Sequence, residues 1–389
     1  MVQLNSSVTV DIGSVRVRTA PDTGALPSKY NTVEQYPFMR GPVNQGLCGA
    51  CWAISTTQVL ADRANLWRHR HNRPVDVPDL SFQLVIDCAA NCITYKGRQG
   101  CARACNGGFL VTGFKFLKER GTARYDFHPN RYGITDGMDH VGVTHAPASD
   151  HCPRVPADET MYRCDRFYVV NLYDTFGITN ARDNNVGMGP EQLRKNAVNI
   201  QREIHGRGPV AVCFNMYSDF KEFWRARQQR DLVYELNWQM RAQDRALADP
   251  VGKTSWTDRR PGPGGITFKT GHSVSIVGWG EQRDGVTGEL VFYWICRNSW
   301  GVPVNGDGYF KCRRGVNTAA IESDVAACWF NKSATLTPSG GLGIVAPEPW
   351  RPYYNNRCVA VMMLIIIAMV VIYVIYKSTR PHGLDHGLF

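Results

Sequence analysis

Residues 45–53 read QGLCGACWA, with Cys48 and Cys51 three positions apart. Two cysteines so spaced can be a disulfide or redox couple, half of a zinc site, or a pair in which one thiol is a nucleophile. The residues that follow bear on the choice. CWAISTTQVLADRANLW places Trp52, Val59, Leu60, Leu66 and Trp67 along one stripe at helical spacing, with Asp62 and Arg63 turned away. A helix beginning at or near Cys51 is thereby predicted. At a helix N-terminus beside an imidazolium, a thiol's pKa falls from about 8.5 to as little as about 3.5, and Cys51 has the helix position this requires.

A nucleophile needs a general base and a third group to hold that base in one tautomer. His272, in the alternating run HSVSIVGWG, and Asn298, before Ser299, Trp300 and Gly301, are candidates for these parts. Each has a plain alternative: a strand histidine is commonly a satisfied core residue, and an Asn before Ser is commonly a turn. Cys88, Cys92, Cys101 and Cys105 add weight to a metal reading, but a zinc ribbon wants tetrahedral sets at tighter spacing. No metal or other cofactor is expected.

The hydrophobic period changes along the chain. Residues 107–121, GGFLVTGFKFLKERG, predict a second helix with Leu110, Phe114 and Leu117 on its apolar side. Later, His272, Val274 and Ile276 alternate on one strand face, and LVFYWICRNSWG and GDGYFKCRR follow as further strands. A helical half followed by a sheet half predicts an α+β protein of two subdomains with a cleft between them. Residues 237–268, which include TDRRPGPGGIT, read as a surface insertion.

The chain has 389 residues, 43% hydrophobic and 20% charged, and can bury a real core. Its net charge of +10 is scattered, so no nucleic-acid partner is expected. Thirteen cysteines are unusual for a cytosolic enzyme, and an odd count leaves at least one unpaired. The first fifty positions nevertheless hold no apolar run of secretory type.

The far end reads differently. Residues 359–376, VAVMMLIIIAMVVIYVIY, carry no charge and are flanked by Arg357 and Lys377. At about 1.5 Å per residue a helix of this length spans roughly 27 Å, enough to cross the hydrocarbon of a bilayer. A C-terminal transmembrane helix, with the lipid bilayer as partner, is the expectation. Residues 331–358 form a Pro- and Gly-rich tether before it, and 377–389 a tail. Arg351 and Arg357 balance Lys377 and Arg380, so charge does not set the orientation.

QGLCGACWA, CNGGF, GHSVSIVGWG and RNSWG occur in this order, and together they resemble the papain-like cysteine peptidases. LPSKYNTVEQYP, the ADR that follows the nucleophile segment, GPVAVCFNMYSDF and IESDVAA resemble the cathepsin B-like branch. The likeness covers about residues 26–330 and leaves 1–25 as an N-terminal extension. It implies a papain-like fold with a helical left half, a β-barrel-like right half and an active-site cleft between, acting on polypeptides. Cys51 would be the attacking thiolate, His272 its base and later acid, Asn298 the group orienting the ring, and Trp300 the shield of that bond. Gln45, with the backbone N–H of Cys51, would bind the oxyanion. Gly107 and Gly108 would let the substrate backbone lie against the cleft wall, and Asp324 would sit at the floor of the S2 pocket, favouring Arg or Lys at P2. Cys48 would pair with Cys105; Cys88 has Cys92, Cys101, Cys152 and Cys164 as candidate partners.

Some features depart from the pattern. Cys51 and His272 are farther apart than the family's roughly 130 to 150 residues. The exopeptidases of the branch use two adjacent histidines, whereas His140, His145 and His151 are separate, so endopeptidase action is expected. The 25 residues before Leu26 look short for an inhibitory propeptide. The competing functional reading is an inactive, peptidase-shaped binding or adhesion protein, against which Cys51, His272, Asn298 and Gln45 are all present. In layout the chain resembles membrane-anchored cathepsin-like peptidases of large invertebrate DNA viruses, which implies a virion or host membrane. Sequons at Asn5 and Asn331 would be glycosylated only on a lumenal side.

Overall fold

The computed structural model describes residues 2–3, 9–11, 24–95, 98–130, 152–172, 189–226, 232–235, 268–284, 288–302 and 306–330. In chain order, β1 (Val2–Gln3), β2 (Thr9–Asp11), β3 (Tyr30–Asn31) and α1 (Thr32–Gln35) precede α2 (Cys51–Arg70). Next come α3 (Phe82–Cys88), β4 (Cys92–Tyr95), β5 (Arg98–Cys101) and α4 (Leu110–Glu119). The chain continues through β6 (Arg154–Val155), β7 (Arg166–Leu172), α5 (Pro190–Arg207), β8 (Val210–Tyr217), α6 (Phe220–Ala226) and β9 (Val233–Tyr234). It ends in β10 (Phe268–Arg283), β11 (Leu290–Arg297), β12 (Tyr309–Arg313) and β13 (Asp324–Trp329).

Helix α2 starts at Cys51 as predicted, but it is not amphipathic. Every residue from Trp52 to Arg63 is buried, so a single apolar stripe does not describe it. Its small polar residues tolerate this because the hydroxyls of Ser55, Thr56 and Thr57 return to carbonyls one turn back, for example Thr56 Oγ1 to Trp52 O at 2.9 Å. Asp62 and Arg63, expected to face away from the core, are instead closed to water. Asp62 is ion-paired with Arg297, Oδ2 to Nη2 at 2.8 Å, and accepts from the Arg40 backbone N–H at 2.7 Å. Arg63 donates to Glu203 at 2.9 Å, to the Tyr168 hydroxyl at 3.0 Å and to the carbonyls of Pro209 and Cys328. A helix packed on all sides must find partners for its charges inside the protein, and these partners lie on α5, β7, β11 and β13.

Two hydrophobic cores flank this helix. One joins α2, α3 and α4 through Trp52, Leu60, Leu84, Phe114 and Phe116. The other, with Val212, Phe214, Val274, Ile276, Trp294 and Phe310, belongs to an eight-stranded sheet of order β7-β13-β8-β10-β11-β12-β9, onto which β3 adds at β10. All its pairings are antiparallel except β12 with β9. Strand β10 runs beyond the predicted HSVSIVGWG at both ends and is bulged between Ile276 and Gly278. A Cβ at Gly278 would lie 2.2 Å from the Tyr30 carbonyl oxygen, so glycine is required where β3 docks.

Among the described residues three disulfides are present: Cys48–Cys105, Cys88–Cys152 and Cys92–Cys101. The first is the pairing the resemblance implied, and the second selects one of the four candidates for Cys88. Of the N-terminal extension, β1 pairs with β6 and β2 with β4. The tether, the apolar run 359–376, the tail and the insertion 237–268, apart from Phe268 at the start of β10, lie outside the described residues. Among the described residues no helix is long and apolar enough to cross a membrane.

Removing one partner of a buried ion pair leaves the other charge uncompensated, at a cost of roughly 3–5 kcal/mol. Asp62→Ala is therefore predicted to lower the unfolding free energy, measured by urea denaturation, by an amount in that range, because Arg297 would remain buried without its carboxylate.

Candidate active site

The cleft is built where α2 meets β10. Cys51 is the first residue of α2, with Ala50 before it providing no side-chain cap. Its thiol is half-buried and lies next to Ser273, with which it lines one cavity. Ser273 follows His272 on β10, so the strand that carries the histidine runs past the helix start. Burial pushes the Cys51 thiol above its ordinary pKa, and the donors of Ser273, Trp52 and Cys51 itself act in the opposite sense. The depression expected at a helix start is thus outweighed by desolvation.

His272 Nε2 is 2.8 Å from Asn298 Oδ1. The amide oxygen, which also accepts the Ser299 N–H at 2.8 Å, can only accept, so Nε2 carries a proton. When the ring is neutral, that arrangement puts the lone pair on Nδ1. Trp300 lies 5.0 Å from the imidazole, ring centre to ring centre, and is 4% exposed; it is packed in turn on Phe220 and Trp224. His272 and Asn298 are themselves buried beneath it.

Gln45 is held from both sides of the cleft. Its Nε2 donates to Cys48 O at 2.8 Å, its Oε1 accepts from the Ser299 hydroxyl, and its N–H donates to Ser299 O at 2.8 Å. One Nε2 hydrogen is used in this bond to Cys48, and an amide carries two. Ser299 was part of the quoted RNSWG but had no assigned role; the signal was its place between Asn298 and Trp300.

A cavity of about 290 Å³ extends from Cys51 and is lined by Gly107, Gly108, Cys213, Ser273 and Asp324 among others. Gly107 has φ +99° and open space where a Cβ would stand, which suits a wall against which a chain can lie. Gly108 has a different reason to be glycine: a Cβ there would come within 2.6 Å of the Trp52 ring. Gly49 likewise faces Cys105 O, leaving 2.4 Å for a Cβ, so the CGAC spacing lets the Cys48–Cys105 bridge close tightly. Asp324 is 4% exposed, its Oδ1 has no hydrogen-bond partner, and burial raises its carboxyl to about 7. His140, His145 and His151 lie outside the described residues. No group of His, Cys, Asp and Glu among the described residues is arranged to hold a metal ion.

Residues 26–232 and 264–329 match the model of the papain family of cysteine proteases. The chain belongs to this family. It is 25% identical over 317 residues to cathepsin B-like cysteine proteinase 3 of Caenorhabditis elegans, covering 81% of this chain and 67% of that protein. It is 27% identical over 282 residues to cathepsin B-like protease 1 of Arabidopsis thaliana, covering 72% and 56%. Tubulointerstitial nephritis antigen of Homo sapiens matches at 26% over 329 residues, covering 82% and 56%. The solved structure of proCathepsin B S9 from Trypanosoma congolense superposes with a TM-score of 0.50 at 19% identity, over 84% of this chain and 87% of that one. The protein is a cathepsin B-like cysteine peptidase, with a papain-like α+β fold. The family match is interrupted over 233–263, within which most of the run read as an insertion falls.

Loss of one oxyanion donor typically costs about a hundred- to thousandfold in rate. Gln45→Ala is predicted to lower kcat by that order with a much smaller change in KM, measured on a fluorogenic peptide.

Proposed function

We propose that the protein is a membrane-anchored endopeptidase that hydrolyses peptide bonds through a Cys51 thiolate, with a preference for Arg or Lys at P2. The observation that carries the chemistry is the 2.8 Å bond of Asn298 to His272, on the strand that runs past the thiol at the head of α2. Because desolvation disfavours a lone thiolate here, the charge is best made together with its counter-ion. His272 takes the Cys51 proton, and the thiolate attacks the scissile carbonyl carbon. The developing oxyanion accepts from the Cys51 N–H and from Gln45. The imidazolium then protonates the leaving amine, and water activated by His272 hydrolyses the thioester.

The P2 preference is supported by Asp324. A nearly buried carboxyl group with an unpartnered oxygen, opening on the cleft, is relieved by a cationic side chain. Its pKa of about 7 fixes the sign of the pH effect. Below that value the group is neutral and offers nothing to a cation; above it the carboxylate is present. The ratio of kcat/KM for P2-Arg over P2-Phe peptides is predicted to rise between about pH 6 and about pH 8. Asp324→Ala should flatten that rise and reduce P2-Arg turnover more than P2-Phe turnover; equal losses would reject the preference.

The anchor is supported by the uncharged run 359–376. The full chain is predicted to stay in the membrane pellet on alkaline carbonate washing, and a chain ending at residue 358 to leave it. Release of the full chain by the wash would reject the anchor. The membrane proposed is that of a virion or host cell, and a glycosidase shift at Asn5 or Asn331 would report a lumenal side. Endopeptidase action without dipeptide release is the mode proposed, from the separate histidines at 140, 145 and 151.

One relative, tubulointerstitial nephritis antigen, does not carry a peptidase name, which gives the non-catalytic reading a foothold. Cys51→Ala separates the two readings. It is predicted to abolish peptide hydrolysis and labelling by a thiol-reactive epoxide with folding kept, whereas a binding protein would be unaffected in its function.

A further inference from the structure

Six cysteines among the described residues are outside disulfides. Cys164, Cys296, Cys312 and Cys328 are buried, while Cys51 and Cys213 are half-buried, and both of these line the same cavity. Their closeness follows from strand register. On the three neighbouring strands β13, β8 and β10, Asp324 stands opposite Cys213 and Cys213 stands opposite Ser273. Directly opposed residues project on one face of a sheet, with Cα atoms about 4.5–5.5 Å apart. All three border the cavity. Ser273 completes the row to the helix, because it neighbours Cys51 as well as Cys213 and all of them line one cavity. One serine therefore neighbours both thiols.

We propose that Cys213 is the resolving thiol of the nucleophile: when a hydroperoxide oxidises Cys51, Cys213 closes a reversible Cys51–Cys213 disulfide that blocks catalysis and prevents over-oxidation. The chemistry balances in two steps. The Cys51 thiolate attacks the peroxide, the O–O bond breaks, and the products are Cys51 sulfenic acid and an alcohol, or water from hydrogen peroxide. The Cys213 sulfur then attacks the sulfenic sulfur, the S–O bond breaks, and water leaves with the Cys213 proton. The two thiols have together given two electrons to the peroxide. Two molecules of a monothiol such as glutathione return both cysteines to the reduced state and are themselves joined as a disulfide.

The surroundings suit this order of events. Burial holds the Cys213 thiol well above its ordinary pKa, and the nearby Asp324 and Cys51 charges raise it further. Cys213 therefore stays protonated beside a working nucleophile and does not compete for substrate. Conversion of Cys51 to the uncharged sulfenic acid removes one of the charges that suppress ionisation of Cys213, so the resolving thiol is released by the event it answers. The buried cysteines are closed to a peroxide in solution.

The full chain, treated with one equivalent of hydrogen peroxide at neutral pH and digested without reductant, is expected to yield a peptide pair linked through Cys51 and Cys213. Glutathione should then restore most of the peptidase activity of the wild-type chain. Cys213→Ser and Cys213→Val, each compared with its own untreated activity, should recover about tenfold less, with Cys51 found as sulfinic acid. Absence of the linked peptides from the oxidised wild-type chain would overturn the proposal, as would equal fractional recovery in all three proteins. The linked-peptide measurement needs neither a folded variant nor turnover of any substrate, so it stands whatever the peptidase assays give.

Discussion

The ion pair between Asp62 and Arg297, with both side chains closed to water, ties the two halves of the molecule at the point where they must agree. Asp62 is on the helix that begins at Cys51, and Arg297 is the last residue of the strand that delivers Asn298. The pair is reinforced by Arg40, whose N–H binds Asp62 and whose carbonyl accepts from Arg297. A nucleophile and the group that orients its base are thus carried by elements locked together through charge. Neither charge can leave the interior without abandoning the other, so their relative placement is set more firmly than apolar packing alone would set it.

The site itself is a short chain of shared acceptors and donors. Ser299 is bonded through its hydroxyl, its N–H and its carbonyl, and these reach Gln45 on one side and Asn298 on the other. Gln45 and the amide that holds the imidazole are therefore positioned by one residue. Trp300, packed among Phe220 and Trp224, closes the same segment from the sheet side. Function here depends on few atoms, and each is held by a neighbour in sequence or by a partner across the cleft.

Much of this could be read from the chain. QGLCGACWA announced the helix start, HSVSIVGWG and LVFYWICRNSWG announced paired strands, and the order of four motifs pointed to the papain-like fold. Periodicity failed where burial is two-sided. Asp62 and Arg63 look like an exposed face when only helical spacing is counted, because a sequence does not show that α5, β7, β11 and β13 will bring Arg297, Glu203 and Tyr168 to meet them. The pKa of Cys51 failed for the same reason: helix position is local and visible, whereas desolvation is a property of what packs around it. Cys213 was quoted within GPVAVCFNMYSDF without a role, since only the register of β8 against β10 and β13 places it opposite Ser273 and Asp324. The two glycines of CNGGF were given one reason in common and turned out to have two.

The disulfides are distributed unevenly. All three close within residues 48–152, around the helical half, while the described part of the sheet half keeps its cysteines as thiols. Oxidative maturation therefore bears on one half of the molecule. The sheet half can reach its native pairing in a reducing environment on hydrogen bonds and apolar burial alone, while the Cys48–Cys105 bridge waits for an oxidant. Until it forms, the loop before Cys51 and the glycine wall are joined by no covalent bond, and the cleft has one firm bank and one loose one. Exposure to an oxidising compartment would then act as the last step of assembly, finishing the side of the cleft that carries the nucleophile.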